Sequence, residues 1–190
     1  MMKYVGVWMM TLCVVRLNGT FSNVAFQKPA TMSSVFDANT IPSRGVDGNT
    51  YLCTVTNYGD MEPWWMVDLH GYFHIHDVII TNYDYLNWWR YLHSFTIDVF
   101  TENPIGCARA TPVQCYNRTD TLGPSETVQF KCRSPVIGRF VRVKKWKMVD
   151  PYDPLTLCEV QVLGTKATAP TFKDSTTITS SWDYYGVDLC

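Results

Sequence analysis

Three short stretches of the chain carry residue types that could do chemistry. In the first, Arg44-Gly45-Val46-Asp47-Gly48-Asn49, side-chain oxygens on Asp47 and Asn49 stand two residues apart. The two glycines let the backbone turn tightly enough for carbonyls to join them, and a hard cation such as calcium takes about six to eight oxygens in such a shell. Taken alone, Asp-Gly-Asn is equally an ordinary β-turn. The second stretch, Thr81 to Phe95 (TNYDYLNWWRYLHSF), sets Tyr83, Tyr85, Trp88, Trp89 and Tyr91 around one arginine, Arg90. Five rings in one connection either plug the end of a core or wall a binding site. The third, GRFVRVKKWK, carries Arg139, Arg142, Lys144, Lys145 and Lys147 and could meet sulfate or phosphate groups of an acidic polysaccharide. Alternation with Val141 and Val143 accounts for most of these charges as a solvated strand face.

Catalytic groups are scarce. The histidines are His70, His74, His76 and His93, and no serine or cysteine stands in a nucleophile-elbow setting to pair with them. His74-x-His76 puts two imidazoles on one face of a strand, but zinc needs further ligands, so both are expected to face solvent beside an inward Ile75. The chain is not expected to be an enzyme.

The elements that must position these residues are read from periodicity. Short apolar, β-rich runs separated by Pro, Gly, Asn and Asp extend from about Val24 to Gly164. The clearest are Trp64 to Leu69, Phe73 to Thr81, Ser94 to Phe100, Glu126 to Lys131, Gly138 to Trp146 and Leu155 to Leu163. In Ser94 to Phe100, Phe95, Ile97 and Val99 alternate with Ser94, Thr96 and Asp98, which gives one core face and one wet face. The expected fold class is all-β, an antiparallel sandwich.

At 190 residues the chain fits one domain with appendages. Residues 1–22 have the layout of a signal peptide: Lys3, an apolar run from Tyr4 to Val15, then small and polar residues. That run is too short to span a bilayer, so a secreted, extracellular protein without a transmembrane segment is expected. The domain is placed at 23–164, and residues 165–190 read as a Thr/Ser-rich tail. With 16 Lys+Arg against 17 Asp+Glu, no overall field draws the protein to nucleic acid or anionic membrane. Once Cys13 leaves with the leader, Cys53, Cys107, Cys115, Cys132, Cys158 and Cys190 remain, and six cysteines permit fifteen pairings. Asn117-Arg118-Thr119 is an N-glycosylation acceptor sequence.

A resemblance joins these stretches. NVAFQKPATMSS (Asn23 to Ser34), GVDGN (Gly45 to Asn49), PWWMVDL (Pro63 to Leu69), IITN (Ile79 to Asn82), PVIGRFVRV (Pro135 to Val143) and LTLCEVQVL (Leu155 to Leu163) together resemble the F-type lectin, or fucolectin, family. That family belongs to the discoidin-like jelly rolls, and the motifs come in the same order. The resemblance implies a structural calcium ion held by Asp47, Asn49, Glu159 and the carbonyls of Arg44, Leu52 and Cys158; a serine often stands where Leu52 is. It implies disulfides Cys53–Cys158 and Cys115–Cys132, with Cys107 then pairing with Cys190, or Cys190 linking two chains.

The resemblance further implies a glycan partner, fucosylated or related. Its site would lie at Thr56, Tyr83, Asp84, Tyr85, Trp88 and Arg90. Here the chain departs from the family. Thr56 stands near the position of the usual histidine, Tyr83 at the first arginine and Tyr85 at the aspartate, with Asp84 one residue out of register. Of the basic residues only Arg90 remains. Aromatic rings can hold the C–H faces of sugars, with polar tips for their hydroxyls. Alternation cannot bury Trp88, Trp89 and Tyr91 together, so one or two rings are expected to close the sandwich and the others to form a platform. Homo-oligomers would raise avidity. The alternative function is an adhesion or protein-interaction module that has lost sugar binding.

Overall fold

The computed structural model describes residues 21–170. Nine strands form it: β1 (Ser22–Asn23), β2 (Ala30–Met32), β3 (Thr54–Val55), β4 (Trp64–Thr81), β5 (Phe95–Phe100), β6 (Val113–Arg118), β7 (Thr127–Lys145), β8 (Thr156–Leu157) and β9 (Glu159–Lys166). Two 3₁₀ turns, Pro42–Val46 and Tyr85–Tyr91, complete the described residues. Every strand pairing is antiparallel. The main sheet runs β1-β9-β4-β7-β5-β6, with β2 also on β4, and β3 and β8 form a separate pair. The all-β sandwich expected from alternation is therefore the observed architecture.

Two strands are longer than the sequence suggests. The runs Trp64 to Leu69 and Phe73 to Thr81 are one 18-residue strand, β4, whose register shifts between Asp68 and Phe73. His70 has a φ of 57° at this irregularity, which bends the strand without ending it. The first half of β4 pairs with β2 and with β7 at Val141–Lys144, while the second half pairs with β9 and the start of β7. Pro135 falls where β4 advances from Ile75 to Asp77 as its partner jumps from Val136 to Lys131. Proline supplies no N–H, and no ladder bond is required of it at such an offset.

Trp65, Ile75, Val78, Ile80, Phe95, Ile97, Phe130, Val141, Val143 and Val160 are fully buried and make the core. Two charges expected in water are inside. Asp98 is buried and accepts a 3.0 Å bond from Arg142, and Lys145 is buried behind the site loop. The other strand cations are also matched: Arg139 grips both oxygens of Asp68 at 2.7 Å, and Lys144 reaches Glu62 at 3.4 Å. Four of the five cations of the GRFVRVKKWK run are thus paired with carboxylates on neighbouring segments, which disfavours a basic face for an acidic polysaccharide.

Cys53–Cys158 and Cys115–Cys132 are formed, as the resemblance implied. The first follows from register. Thr54 lies opposite Leu157 in the β3–β8 pair, so the next residues outward, Cys53 and Cys158, face each other. Cys107 is also disulfide-bonded, and Cys190 lies outside the described residues, as do residues 1–20 of the leader and most of the tail. The sheet begins at Ser22 and ends at Lys166, slightly wider than the 23–164 span. His76 stacks on Phe21 with ring centroids 3.9 Å apart.

Candidate functional site

At one end of the sheet Thr81 lies opposite both Thr127 and Glu159, so β4, β7 and β9 share one edge from which the site loops spring. Asn82, the next residue, is buried. Its Nδ2 donates to the carbonyls of Trp89 (2.9 Å), Leu122 (3.0 Å) and Gly123 (3.0 Å), and its Oδ1 accepts from the Tyr83 amide at 2.8 Å. One amide side chain thus folds the aromatic loop back on itself. Leu86 and Asn87, at φ 46° and 68°, reverse the backbone between Tyr85 and Trp88.

The far end of the loop is held by Lys145. Its ammonium donates to the carbonyls of Tyr91 (2.9 Å) and Pro154 (3.2 Å) and to the Asp153 carboxylate. Burial lowers the Lys145 pKa, against the pull of Asp153. Burial alone would raise Asp153, but hydrogen bonds from His93, Lys145 and the Val149 amide outweigh it and hold that carboxyl below its ordinary value. The arrangement satisfies a buried ion pair with backbone carbonyls, which is the condition for tolerating one.

Between these anchors Trp88 is the hub of a ring cluster. Its centroid lies 5.7 Å from Phe36, 6.4 Å from Tyr58, 6.2 Å from Tyr83 and 5.7 Å from Tyr91. Tyr152 stacks edgewise on Tyr58 at 5.5 Å. Beside Trp88 opens a cup of about 340 Å3, walled by Phe36, Asn39, Tyr51, Leu52, Tyr83 and Tyr85. Its rim is exposed: Tyr51 is 88 % accessible, Leu86 70 % and Tyr85 60 %. Burial pushes the Tyr83 phenol above its ordinary pKa, with Tyr85 and Asp84 adding to the shift, so it remains a neutral donor.

The site residues expected from sequence separate into groups. Tyr83, Tyr85 and Trp88 line the cup. Thr56 does not: it is fully buried, and its hydroxyl accepts the Leu155 amide at 2.8 Å. Asp84 borders a neighbouring hollow and accepts the Ser125 hydroxyl at 2.5 Å. Arg90 turns to another side, stacks on Trp89 at 5.4 Å and borders a recess with His93 and Asp120. In a 3₁₀ turn successive side chains are about 120° apart, so Arg90 cannot share the direction of Trp88. None of the rings from Tyr83 to Tyr91 is fully buried; Leu92 and Leu122 close the sandwich end instead.

Sequence reasoning missed Phe36, Tyr51, Tyr58, Tyr152, Asn82 and Lys145. A signal existed for Lys145, which shares the inward parity of Val141 and Val143. Phe36 and Tyr152 come from distant loops and carried none.

The Arg44–Asn49 loop packs against the same sheet end. The Trp65 indole donates to the Pro42 carbonyl at 2.8 Å, and a Cβ on Gly45 would stand 3.0 Å from that ring. Gly48, at φ 80°, donates its amide to Glu159 Oε2 at 3.0 Å. Asp47 accepts from the Asn49 amide at 2.8 Å and meets Arg44 at 3.2 Å. Burial raises the Glu159 pKa to about 7 against the Gly48 hydrogen bond, with the Asp47 charge adding to the rise. Asp47 and the buried Glu159 bring two carboxylates together, and carboxylate oxygens are the donor type that a hard cation takes.

The fold is an antiparallel β-sandwich with an aromatic cup at its loop end. The family model of the NedA-like, galactose-binding F5/F8 type C domain matches residues 44–143. Fucolectin-6 of Anguilla japonica is 33% identical over 150 residues, 74% of each chain. Among solved structures, the lectin domain of lectinolysin, a His 62 mutant complexed with Lewis b, aligns with TM-score 0.64 and 25% identity over 75% of this chain and 96% of that one. A fucolectin from Morone saxatilis serum has the same fold, with TM-score 0.66 and 24% identity over 77% of this chain and half of that one. The chain belongs to the fucolectin family of discoidin-like domains and is a carbohydrate-binding lectin by family.

Proposed function

We propose that the protein is a secreted lectin that holds fucosylated or related glycans in the cup beside Trp88. The observation that carries this reading is the cup itself, in which Trp88, Tyr83, Tyr85 and Phe36 offer ring faces while tyrosine hydroxyls and the Asn39 amide supply polar tips. Ring faces receive the C–H surface of a sugar, and the phenols and amide answer its hydroxyls. Arginine takes no part, so recognition rests on stacking where relatives of the fucolectin type use a charged clamp. Fucolectin-6 by its name, and lectinolysin by its complex with Lewis b, support this ligand class.

The neighbouring carboxylates of Asp47 and Glu159 support a calcium site at this loop. Asp47 and Glu159 would hold the ion through carboxylates, with Asn49 and the carbonyls of Arg44, Leu52 and Cys158 completing the set. Its chemistry would be charge neutralisation that fixes the loop carrying Tyr51 and Leu52 in the cup wall. Secretion is supported by the disulfides and the leader-like residues 1–22. Asn117 is exposed on β6, and its carbonyl oxygen accepts from the Trp146 indole at 3.0 Å, which leaves the amide nitrogen open to N-glycosylation.

The test is a glycan array probed with the purified protein, with calcium and with EDTA. Binding to fucose-bearing glycans that weakens in EDTA is expected. Binding to no glycan in either buffer would sink the reading and leave the exposed tip of Tyr51, Tyr85 and Leu86 to a protein partner.

A further inference from the structure

Across the edge formed by Tyr83 and Tyr85 from the cup lies a second hollow of about 580 Å3. Its chemistry differs from that of the cup. Thr50, Asp84, Ser125 and Thr127 bring hydroxyls and one carboxylate, while Tyr51, Tyr83 and Tyr85 border both cavities. The polar wall is preorganised. The Ser125 hydroxyl donates to Asp84, the Thr81 and Thr127 hydroxyls share a 2.9 Å bond, and Ser125 is fixed at φ 52° with its amide on the Tyr83 carbonyl. Asp84 keeps acceptor sites beyond the one Ser125 uses, since an ionised carboxylate offers about four.

Neither lining contains Lys, Arg or His, whereas Asp37 borders the cup and Asp84 the hollow. An acidic sugar placed here would meet two carboxylates and no cation, and a desolvated charge without a partner is costly. A neutral sugar meets no such penalty, and its hydroxyls can donate to Asp84 in charge-assisted bonds.

We propose that the hollow is a second sugar subsite, and that the ligand is an uncharged oligosaccharide with one residue in the cup and the next in the hollow, straddling Tyr83 and Tyr85. This rests on the reading of the cup as a sugar site and adds to it the length and charge of the ligand. Free fucose would fill the cup alone. A neutral fucosylated tetrasaccharide would engage both subsites, and its sialylated counterpart would be rejected.

The experiment is titration calorimetry of the full chain with three probes: L-fucose, a neutral fucosylated tetrasaccharide and the same tetrasaccharide sialylated. The neutral tetrasaccharide is expected to bind at least tenfold more tightly than fucose and than its sialylated form. Thr127→Trp, which fills the hollow, should bring the tetrasaccharide-to-fucose ratio close to one. Asp84→Asn, a near-isosteric change that tests the same wall if the tryptophan variant does not fold, should lower that ratio severalfold. Wild-type binding with a ratio that neither variant alters overturns the second subsite and leaves the cup standing, as does equal affinity for the sialylated probe. Failure of the wild type to bind any of the three overturns both readings.

Discussion

Trp88 touches four other rings and forms part of the cup, so its removal takes away a contact face and the packing that orients Tyr83. Aromatic pairs contribute about 0.5–1.5 kcal/mol each beyond burial. Trp88→Ala should therefore weaken glycan binding at least tenfold by calorimetry. Arg90→Ala should stay close to wild type, because that guanidinium is spent on Trp89 and borders a different recess. Glu159 gives a pH signature. Its ordinary value is 4.5 and its folded value about 7, so without metal the folded state holds the extra proton between those pH values. Stability from this group is complete below about pH 4.5 and lost as pH rises through 7, by roughly 3 kcal/mol at most. Asp68 and Asp153 act in the opposite sense, but below 3.8 and outside this window. Thermal melts in EDTA should fall between pH 5 and 8, calcium should reverse the fall, and Glu159→Gln should abolish both effects.

Lys145 connects β7 to the site loop and to the Asp153 turn, which makes it a test of how elements hold the cup. Lys145→Ala leaves the buried Asp153 carboxylate with only His93 and the Val149 amide as partners, and breaking one side of a buried pair typically costs about 3–5 kcal/mol. Denaturant titration should show a loss of that order, and the surviving folded protein should bind glycans more weakly. Strand β6 is an outer strand of the main sheet, with Asn117 exposed on it beside Trp146. Material secreted from eukaryotic cells should lose mass on enzymatic deglycosylation, and Asn117→Gln should remove the shift. Exposed strand edges invite pairing with other chains, and a glycan there would oppose it.

Period-two alternation made the all-β class legible, because Phe95, Ile97 and Val99 can share a buried face only in a strand. The same alternation misled at two charges: Lys145 stands on the inward face, and Asp98, on the opposite face, is covered beside Arg142, because both find their partners only once distant segments meet. Strand ends were obscured for a related reason: at the bulge after Asp68, His70 and Gly71 interrupt the apolar run although the strand continues through them. Tyr83, Tyr85 and Trp88, grouped from sequence, line one cup, but Thr56 and Arg90 lie away from it, which depends on the local 3₁₀ rotation and on the Leu155 hydrogen bond.

At the scale of the whole molecule, the described residues are built on two long strands, β4 and β7, and closed by disulfides at the site end (Cys53–Cys158) and between β6 and β7 (Cys115–Cys132). Cys53–Cys158 joins residues 105 apart, and removing such a link typically costs about 2–5 kcal/mol. Cys53→Ser with Cys158→Ser should lower the melting temperature and weaken sugar binding together, since Leu52 in the cup wall adjoins that bridge. With a net charge of -1 and a cup free of cations, glycan affinity should change little with salt.

The pairing of Ser22 with Gly164 brings the first and last strands side by side. Along β9, Glu159 lies at the cup end opposite Thr81, and Lys166 lies at the other end opposite Phe73, roughly 25 Å away. Among the described residues, the start of β1 and the end of β9 thus sit together at the pole facing away from the cup. A domain wired in this way keeps the joined edge of its first and last strands clear of the cup.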